Sequence, residues 1–346
     1  MRLGRYLGGL VSLALLCNSL MARPGHPQTV ADFYSGRAIN VYVGFSPGGA
    51  YDIYARLLAR FMGSHLPGHP RLVPQNMTGA GGLTLANFLY NIAAKDGTAI
   101  GTFSRGLVNT LLLGTGVRYD STKFFWLGSI AAEADLCAVW STSPIATWDD
   151  MMHKDFVMGG NGPGADTDDY AFMLKNMFGA KLKLVSGYPG GNELNWAMQR
   201  GEIDGRCGWS WSAIKSTNQS WIDEKKIRLL VQMGLSKEPE LPNVPWIMDF
   251  VTNDRDRQIL DLLLARQVTA WPFMAPPGLS EDRKAALRQA FDDTMRDPGF
   301  LAETKHVGLI VNPVDGAKID ALIADLYRTP KNVVDAARVA AGLGAR

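Results

Sequence analysis

Two glycine-rich segments occupy places where the backbone could bind a small anion. Pro47-Gly48-Gly49 and Gly79-Ala80-Gly81-Gly82 each follow a strand-like run and precede a helix-like run. Glycine lets the backbone approach a ligand closely, and the first turn of a helix carries unpaired N–H groups with a partial positive charge. Because ligands of open α/β sheets bind at the carboxyl ends of the strands, the two loops together predict an anion site.

The composition of these loops favours a carboxylate as the anion. Neither loop continues with the Lys and Ser or Thr of a phosphate-binding P-loop, and residues 46–52 lack the G-x-G-x-x-G of a dinucleotide fold. A carboxylate held mainly by backbone N–H groups fits better. Arg105 is the cation near the strand ends, and two interpretations of it stay open: pairing with such a carboxylate, or solvation at the surface.

Enzymatic, metal-binding and nucleic-acid-binding functions find little support. An enzyme would need a nucleophile with a base, paired carboxylates or a metal, and His153, in what looks like a surface connection, is a poor catalytic candidate. His65 and His69 have a spacing that can bind zinc from one helix face, but Pro67, Gly68 and Pro70 disfavour a helix there. The net charge is +2, without a run of Lys and Arg, which argues against a nucleic-acid partner. We therefore expect no catalytic residue, no metal and no cofactor.

Strand-like and helix-like runs alternate along the chain. Residues 39–45, 72–73 and 98–103 have strand patterns, and helices with apolar residues at i, i+3, i+4 and i+7 lie between them. A similar series extends over 156–233, and another strand is predicted over 268–274. This order predicts an α/β fold in which helices flank mainly parallel sheets.

Two such series, followed by a returning C-terminal segment, predict two lobes with a ligand cleft between them. The first lobe is expected to comprise residues 36–133 and 268–346, and the second lobe residues 134–267. The chain would cross between the lobes near residues 130–137 and 267–273.

The N-terminus has the pattern of an export signal. Arg2 and Arg5 precede an uncharged, mostly apolar run over residues 7–20, and a small residue, Ala22, follows. The run is too short and too interrupted for a membrane span, so residues 1–22 are predicted to be a cleaved signal peptide. Lipid attachment at Cys17 is the alternative, disfavoured because no small residue precedes that cysteine.

Removal of this signal leaves two cysteines, Cys137 and Cys207. In an oxidising compartment they could form one disulfide, and their spacing does not distinguish this from two buried thiols.

From about residue 36 to about residue 340 the sequence resembles the Bug family, the periplasmic solute receptors of tripartite tricarboxylate transporters. Motifs in the family's order carry the resemblance: Phe45-Ser46-Pro47-Gly48-Gly49-Ala50-Tyr51-Asp52, Gly79-Ala80-Gly81-Gly82, Asp96-Gly97, Tyr119-Asp120, Gly201-Glu202-Ile203-Asp204, Leu241-Pro242-Asn243-Val244-Pro245 and Ala275-Pro276-Pro277-Gly278. The loops at 159–167 and 187–191 depart from the family's usual sequences, so the resemblance does not identify the ligand.

The resemblance implies a two-lobed periplasmic-binding fold, type II-like, that closes by a hinge on a di-, tri- or aromatic carboxylate. It implies a periplasmic, monomeric receptor that catalyses nothing and delivers its ligand to the membrane subunits of a tripartite tricarboxylate-type transporter. A ligand-sensing receptor for a signalling partner, and an exported α/β enzyme acting on a carboxylate, are the alternatives. Carried onto this chain, the ligand-binding residues are Ser46, Gly48, Gly49, Tyr51, Asp52, Thr78, Gly79, Ala80, Gly81, Ser104, Arg105, Gly164, Ala165, Asp166, Thr167, Tyr188 and Asn192. Trp209, at the end of a predicted strand, is added as an aromatic wall of the site, with core packing as the alternative.

Some of these residues have a structural interpretation as well. Asp166, Asp168 and Asp169 lie near a helix start, so N-capping and complementarity to the helix dipole are favoured. The alternative is that Asp166 faces the cleft and selects an amine or hydroxyl, or that Thr167 donates to a distal carboxylate. Asp52 is expected to pair with Arg56 more than to touch ligand. Trp209 and Trp211 would share one face if their strand extends that far.

Overall fold

The computed structural model describes residues 28–113 and 117–344. The strands are β1 Ala38–Val43, β2 Arg71–Asn76, β3 Ala99–Thr102, β4 Phe125–Ser129, β5 Asp135–Trp140, β6 Phe156–Gly160, β7 Leu182–Ser186, β8 Gly205–Ser210, β9 Ile227–Met233, β10 Pro272–Ala275 and β11 Val314–Asp315. The α-helices are α1 Val30–Tyr34, α2 Ala50–His65, α3 Leu83–Asn91, α4 Thr110–Leu113, α5 Trp148–His153, α6 Asp166–Phe178, α7 Gly191–Gln199, α8 Trp211–Asp223, α9 Asp254–Leu264, α10 Glu281–Thr294, α11 Pro298–His306, α12 Gly316–Leu326 and α13 Lys331–Ala340. The predicted signal peptide and Cys17 lie outside the described residues.

The strands form two separate sheets, and both sheets are mixed. The first has the order β11-β4-β10-β3-β1-β2, and the second has the order β7-β6-β8-β5-β9. Parallel pairs link β1 with β2 and β3, and β6 with β7 and β8. β10 is antiparallel to β3 and β4, and β5 is antiparallel to β8 and β9. The predicted two-sheet α/β fold is confirmed, but "mainly parallel" is wrong, since the strands next to the crossings between sheets run opposite to their neighbours.

Two crossing segments connect the sheets, and they pair with each other. Residues 130–134 lead from β4 to β5, and residues 265–271 lead back to β10. The Ile130 N–H donates to the Trp271 carbonyl at 3.1 Å, and the Ala270 N–H donates to the Ala131 carbonyl at 3.0 Å. Because these bonds tie both crossings together, the sheets are joined through one narrow, hydrogen-bonded hinge region.

The return crossing differs in detail from the strand predicted over 268–274. Residues Ala265–Thr269 form a 3₁₀ turn, and only Pro272–Ala275 is strand. Trp211 also differs from expectation, because β8 ends at Ser210 and Trp211 opens α8. The two tryptophans therefore do not share a strand face.

The C-terminal helix packs on the second sheet's side of the molecule. Val333, Val334 and Ala337 of α13 belong to the same buried apolar cluster as Leu174 of α6 and Leu260 of α9. The C-terminal end of residues 268–346, which were expected to belong to the first lobe, therefore packs against the second sheet's apolar cluster. An amphipathic last helix covers whichever apolar face is left open, and local sequence does not specify which.

Within the described ranges, no helix combines the length and apolar character needed to cross a bilayer. The same residues contain no cluster of three or more His, Cys, Asp or Glu side chains suited to a metal ion.

Cys137 and Cys207 form a disulfide between the adjacent strands β5 and β8. Both residues are fully buried in the second sheet's apolar cluster. This outcome resolves the alternative that the sequence left open. The bond closes a loop spanning 70 residues, and it braces the strand that carries Arg206 and Trp209.

We expect the Cys137→Ser/Cys207→Ser variant to be less stable to unfolding by about 2–4 kcal/mol, because the bond restricts the unfolded chain. Urea denaturation of protein beginning at Gln28 measures this. Dithiothreitol should destabilise the wild type by a similar amount and leave the variant unchanged. Equal midpoints for wild type with and without reductant would contradict a structural role for the disulfide.

Candidate functional site

A cavity of about 60 Å³ lies between the two sheets, where the lobes contact each other. Of the residues expected to bind ligand, those that line it are Gly49, Tyr51, Ser104, Arg105, Ala165, Asp166, Thr167, Asn192 and Trp209. The others lie outside its lining: Ser46, Gly48, Asp52, Thr78, Gly79, Ala80, Gly81, Gly164 and Tyr188. The cavity volume holds roughly four to six water molecules, which limits a ligand to few atoms.

The first glycine loop brings the N-terminus of α2 to this cavity. Asp52 accepts hydrogen bonds from the Gly48 N–H at 2.8 Å and from the Asn76 amide at 2.8 Å, and it pairs with Arg56 at 2.7 Å. These partners lower the pKa of Asp52 against the opposing effect of its burial. Asp52 therefore holds the loop in shape, as its pairing with Arg56 suggested, while Gly49, Ala50 and Tyr51 face the cavity.

The second glycine loop seals the lobes together and does not line the cavity. The Gly81 N–H donates to the Asn161 carbonyl of the other lobe at 3.1 Å. A Cβ on Gly81 would lie 2.9 Å from the Ala165 Cβ, and the φ of Gly81 is +62°, so a larger residue would hold the lobes apart. Thr78 and Ala80 are exposed at the edge of this contact.

Arg105 is the centre of a buried ionic network that spans the lobes. Its side chain is 2% exposed, which excludes the surface interpretation. Its guanidinium lies 2.8 Å from Asp166 and 3.3 Å from Asp135, and it donates to Ser210 at 2.6 Å and to Gln267 at 2.9 Å. Arg105 belongs to the first lobe and Asp166 and Ser210 to the second, so this network forms only when the lobes meet.

Asp166 does not cap α6, so that part of the expectation is wrong, but with Asp168 and Asp169 it lies in the first turn, where the acidic residues complement the helix dipole as expected. The N-cap is Ala165, and Asp166 pairs with Arg105 and, at 3.2 Å, with Arg266. Burial raises the pKa of Asp166 to about 7, although both guanidinium groups lower it. With two arginines as partners, its carboxylate is already occupied and is not a free acceptor for a ligand amine.

Arg206 is a lining residue that the sequence analysis missed. It lies on β8, is 6% exposed, and makes only long contacts, 3.3 Å to the Gly191 carbonyl and 3.5 Å to the Asn195 amide oxygen and the Gly208 carbonyl. Its Nε has no hydrogen-bond partner among the described residues, and no carboxylate of residues 28–113 or 117–344 lies within ion-pair distance of it. Desolvation lowers the pKa of Arg206 to about 10.

Aromatic side chains form the apolar part of the cavity wall. Phe45 stacks on Tyr51 with ring centroids 4.5 Å apart, and Tyr51 meets Trp271 edge-on at 4.7 Å. Trp209 closes the other side, under the Arg206 guanidinium at 5.0 Å. The backbone N–H of Arg105 donates to the Tyr51 hydroxyl at 3.1 Å. Burial raises the pKa of Tyr51 to about 12, so that hydroxyl stays protonated.

Gly208 lets β8 reach this position. Its φ is +61°, and a Cβ there would lie 2.6 Å from the Thr167 backbone nitrogen. Only glycine allows the strand to pass so close to the start of α6. The glycine between Cys207 and Trp209 was the one local sign in the sequence that β8 passes so close to α6. Arg206 itself belongs to no binding motif.

We expect Arg105→Met to destabilise the protein by about 3–5 kcal/mol, because it leaves Asp135 and Asp166 buried without this cation. Adding Asp166→Asn should recover part of the loss, since the two residues act as a pair. Urea denaturation of the two single variants and the double variant measures the coupling. The control is Arg200→Met, whose solvent-exposed pair with Glu202 should contribute little to stability. Strict additivity of the Arg105 and Asp166 effects would contradict the interlobe pair.

No protein-family model matches the chain. It is similar to a UPF0065 protein of the tcbD-tcbE intergenic region of Pseudomonas sp. (strain P51), with 24% identity over 336 residues, covering 94% of this chain and 90% of that protein. Among solved structures it is similar to the periplasmic binding protein BugD, with a TM-score of 0.72, 20% identity, and coverage of 88% of this chain and 99% of BugD.

A second similar structure is MatC (Rpa3494) from Rhodopseudomonas palustris with bound malate. Its TM-score is 0.70 at 20% identity, covering 86% of this chain and 99% of MatC. The match covers nearly the whole length of BugD and of MatC. The resemblance to the Bug family is therefore confirmed at the level of the fold, and the chain has the two-lobed fold of a periplasmic binding protein.

Proposed function

We propose that this protein is a periplasmic receptor that captures a small carboxylate in the cavity between its lobes. It passes the ligand to the membrane subunits of a tripartite tricarboxylate-type transporter and catalyses no reaction. The observation that carries the proposal is the convergence of uncapped helix N-termini from both lobes on one small cavity. The bound malate of MatC is consistent with a ligand of this class.

The helices that begin at the cavity have N-caps without a hydrogen-bonding side chain. α2 begins after Gly49 and α7 after Gly190, and neither N-cap makes a side-chain hydrogen bond. Some helices away from the cavity are capped by side chains, for example α11 by Asp297 and α12 by Asp315, whereas α3, α10 and α13 also lack a side-chain cap. Uncapped first-turn N–H groups favour an anion, because they lack acceptors and lie at the positive end of the helix dipole.

The start of α6 differs from the starts of α2 and α7 in the number of acidic residues in its first turn. Its first turn contains Asp166, Asp168 and Asp169, which balance the helix dipole. Asp168 and Asp169 accept hydrogen bonds from the Gly162 and Gly164 N–H groups, at 2.9 and 3.2 Å. We therefore place the ligand carboxylate at α2, and assign to Thr167 the role of a neutral hydrogen-bonding group.

Closure brings the two lobes into direct polar contact around the ligand. Ser46 donates to Glu193 at 2.7 Å, and the Asn192 amide donates to the Pro47 carbonyl at 3.1 Å. These contacts join the first glycine loop to the start of α7, so Ser46 and Asn192 close the cavity mouth. A ligand that bridges the lobes would shift the receptor towards this closed form, because it gains contacts there that the open form lacks.

A thermal-shift screen followed by calorimetry tests the ligand class. Malate, succinate, citrate, benzoate and the neutral amides of the best acids are the probes. We expect stabilisation by at least one acid and none by its full amide, because the amide cannot use the positive helix ends. Small-angle scattering should show a smaller radius of gyration with the acid. A response to sugars, nucleotides or metal ions, without one to any acid, would contradict the proposal.

Gly49→Asp tests the role of α2. A Cβ at Gly49 meets nothing closer than 3.7 Å, so the substitution fits. The new carboxylate should cap α2, stabilising the ligand-free protein by up to about 1 kcal/mol, and should weaken acid binding at least 10-fold by occupying the N–H groups and repelling the ligand. Ser280→Asp, at the exposed N-cap of α10, is the matched control and should leave binding unchanged. Unaltered binding in Gly49→Asp would place the ligand elsewhere.

A further inference from the structure

Arg206 differs from the other arginines at the lobe contact in its lack of a carboxylate partner. Arg105 pairs with Asp135 and Asp166, and Arg266 pairs with Asp166 and Asp169, at distances of 2.7–3.3 Å. Arg206 is buried to a similar degree, but the acceptors it reaches are neutral and 3.3–3.5 Å away. A guanidinium has five N–H donors; those of Arg206 make three long contacts, and its Nε–H has no partner among the described residues.

A buried cation without a partner opposes closure of the lobes. Removing an ion from water costs several kcal/mol, and only a nearby opposite charge or strong hydrogen bonds offset that cost. Arg206 lines the cavity on the second lobe, opposite the α2 N-terminus of the first lobe. The missing charge can therefore come from a molecule in the cavity.

We propose that Arg206 is an anion sensor, which binds a second carboxylate of the ligand and prevents the receptor from closing without one. This inference rests on the proposed function, which places the first carboxylate at α2. A carboxylate can accept two parallel N–H···O bonds from a guanidinium, the strongest arrangement for this pair. The ligand is then a short dianion, and a monoacid of equal length leaves Arg206 unpaired.

The geometry limits the length of that dianion. A Cβ at Gly49 would lie 3.9 Å from the Gly191 nitrogen, and a Cβ at Gly191 would lie 3.1 Å from the Arg206 guanidinium. Gly191 therefore lies between the start of α2 and Arg206, and the cavity is about 60 Å³. Acids of succinate or malate length fit this spacing better than a six-carbon diacid.

The first test is a matrix of ligands and variants measured by calorimetry. The ligands are succinate and succinamate, its monoamide, and malate as a second diacid. The variants are Arg206→Gln, Arg206→Lys and the surface control Arg200→Gln. We expect the wild type and Arg200→Gln to bind succinate or malate at least 100-fold more tightly than succinamate. Arg206→Gln should lose that preference, and Arg206→Lys should keep part of it.

The outcomes separate this inference from the proposed function. If diacid and monoamide bind equally to the wild type, or if Arg206→Gln keeps the wild-type preference, the sensor role of Arg206 is overturned while carboxylate capture stands. If no acid binds, the proposed function is overturned.

The second test needs no ligand. Small-angle scattering of ligand-free Arg206→Gln should give a smaller radius of gyration than ligand-free wild type, because closure no longer buries an unpaired cation. Circular dichroism establishes that the variant is folded, and Arg206→Lys should stay as open as the wild type. An unchanged radius of gyration for ligand-free Arg206→Gln would contradict the sensor role of Arg206, whichever ligand class the receptor binds.

Discussion

Charge buried where the two lobes meet is the constraint on which the rest of this structure depends. Arg105 reaches from the first lobe to Asp166 and Ser210 of the second and to Asp135 and Gln267 of the crossing region. Each of these groups would be costly to bury alone, so they specify one relative position of the lobes. The crossing segments support it, since the buried Glu133 carboxylate accepts hydrogen bonds from Ser212 and Trp271. Burial raises the pKa of Glu133, and these donors oppose the rise.

The contrast between paired and unpaired arginines separates structure from function in this region. Arg105 and Arg266 have carboxylate partners within the chain, so they stabilise the closed shape. Arg206 has comparable burial without such a partner. In a binding site, a charged or hydrogen-bonding group that has no partner within the protein is available to bind a ligand. The helix starts differ in the same way. The N-caps Gly49 and Gly190 leave the first-turn N–H groups of α2 and α7 without a side-chain acceptor, whereas Asp297 and Asp315 accept from those groups in α11 and α12.

Local pattern predicted the elements well where hydrophobic periodicity is strong. The alternating series predicted over 156–233 agrees with the strands and helices from β6 to β9. Prediction was poorer near the crossings, where the chain is buried on every side and the 3₁₀ turn Ala265–Thr269 overlaps the strand predicted over 268–274. Periodicity reports burial on one face, and a segment buried all round gives no such signal.

The sequence by itself determined the α/β class, the two lobes and the neighbourhood of the site, because strand-end loops follow from the order of elements. It placed Gly49, Tyr51, Ser104, Arg105 and Trp209 near the residues that line the cavity. Only the tertiary structure decided which charges are paired. Arg105 and Asp166 are 61 positions apart, and Arg206 is recognisable only by the absence of a carboxylate beside it among the described residues. Ion pairing depends on distances between segments remote in sequence, and composition and spacing along the chain do not contain those distances.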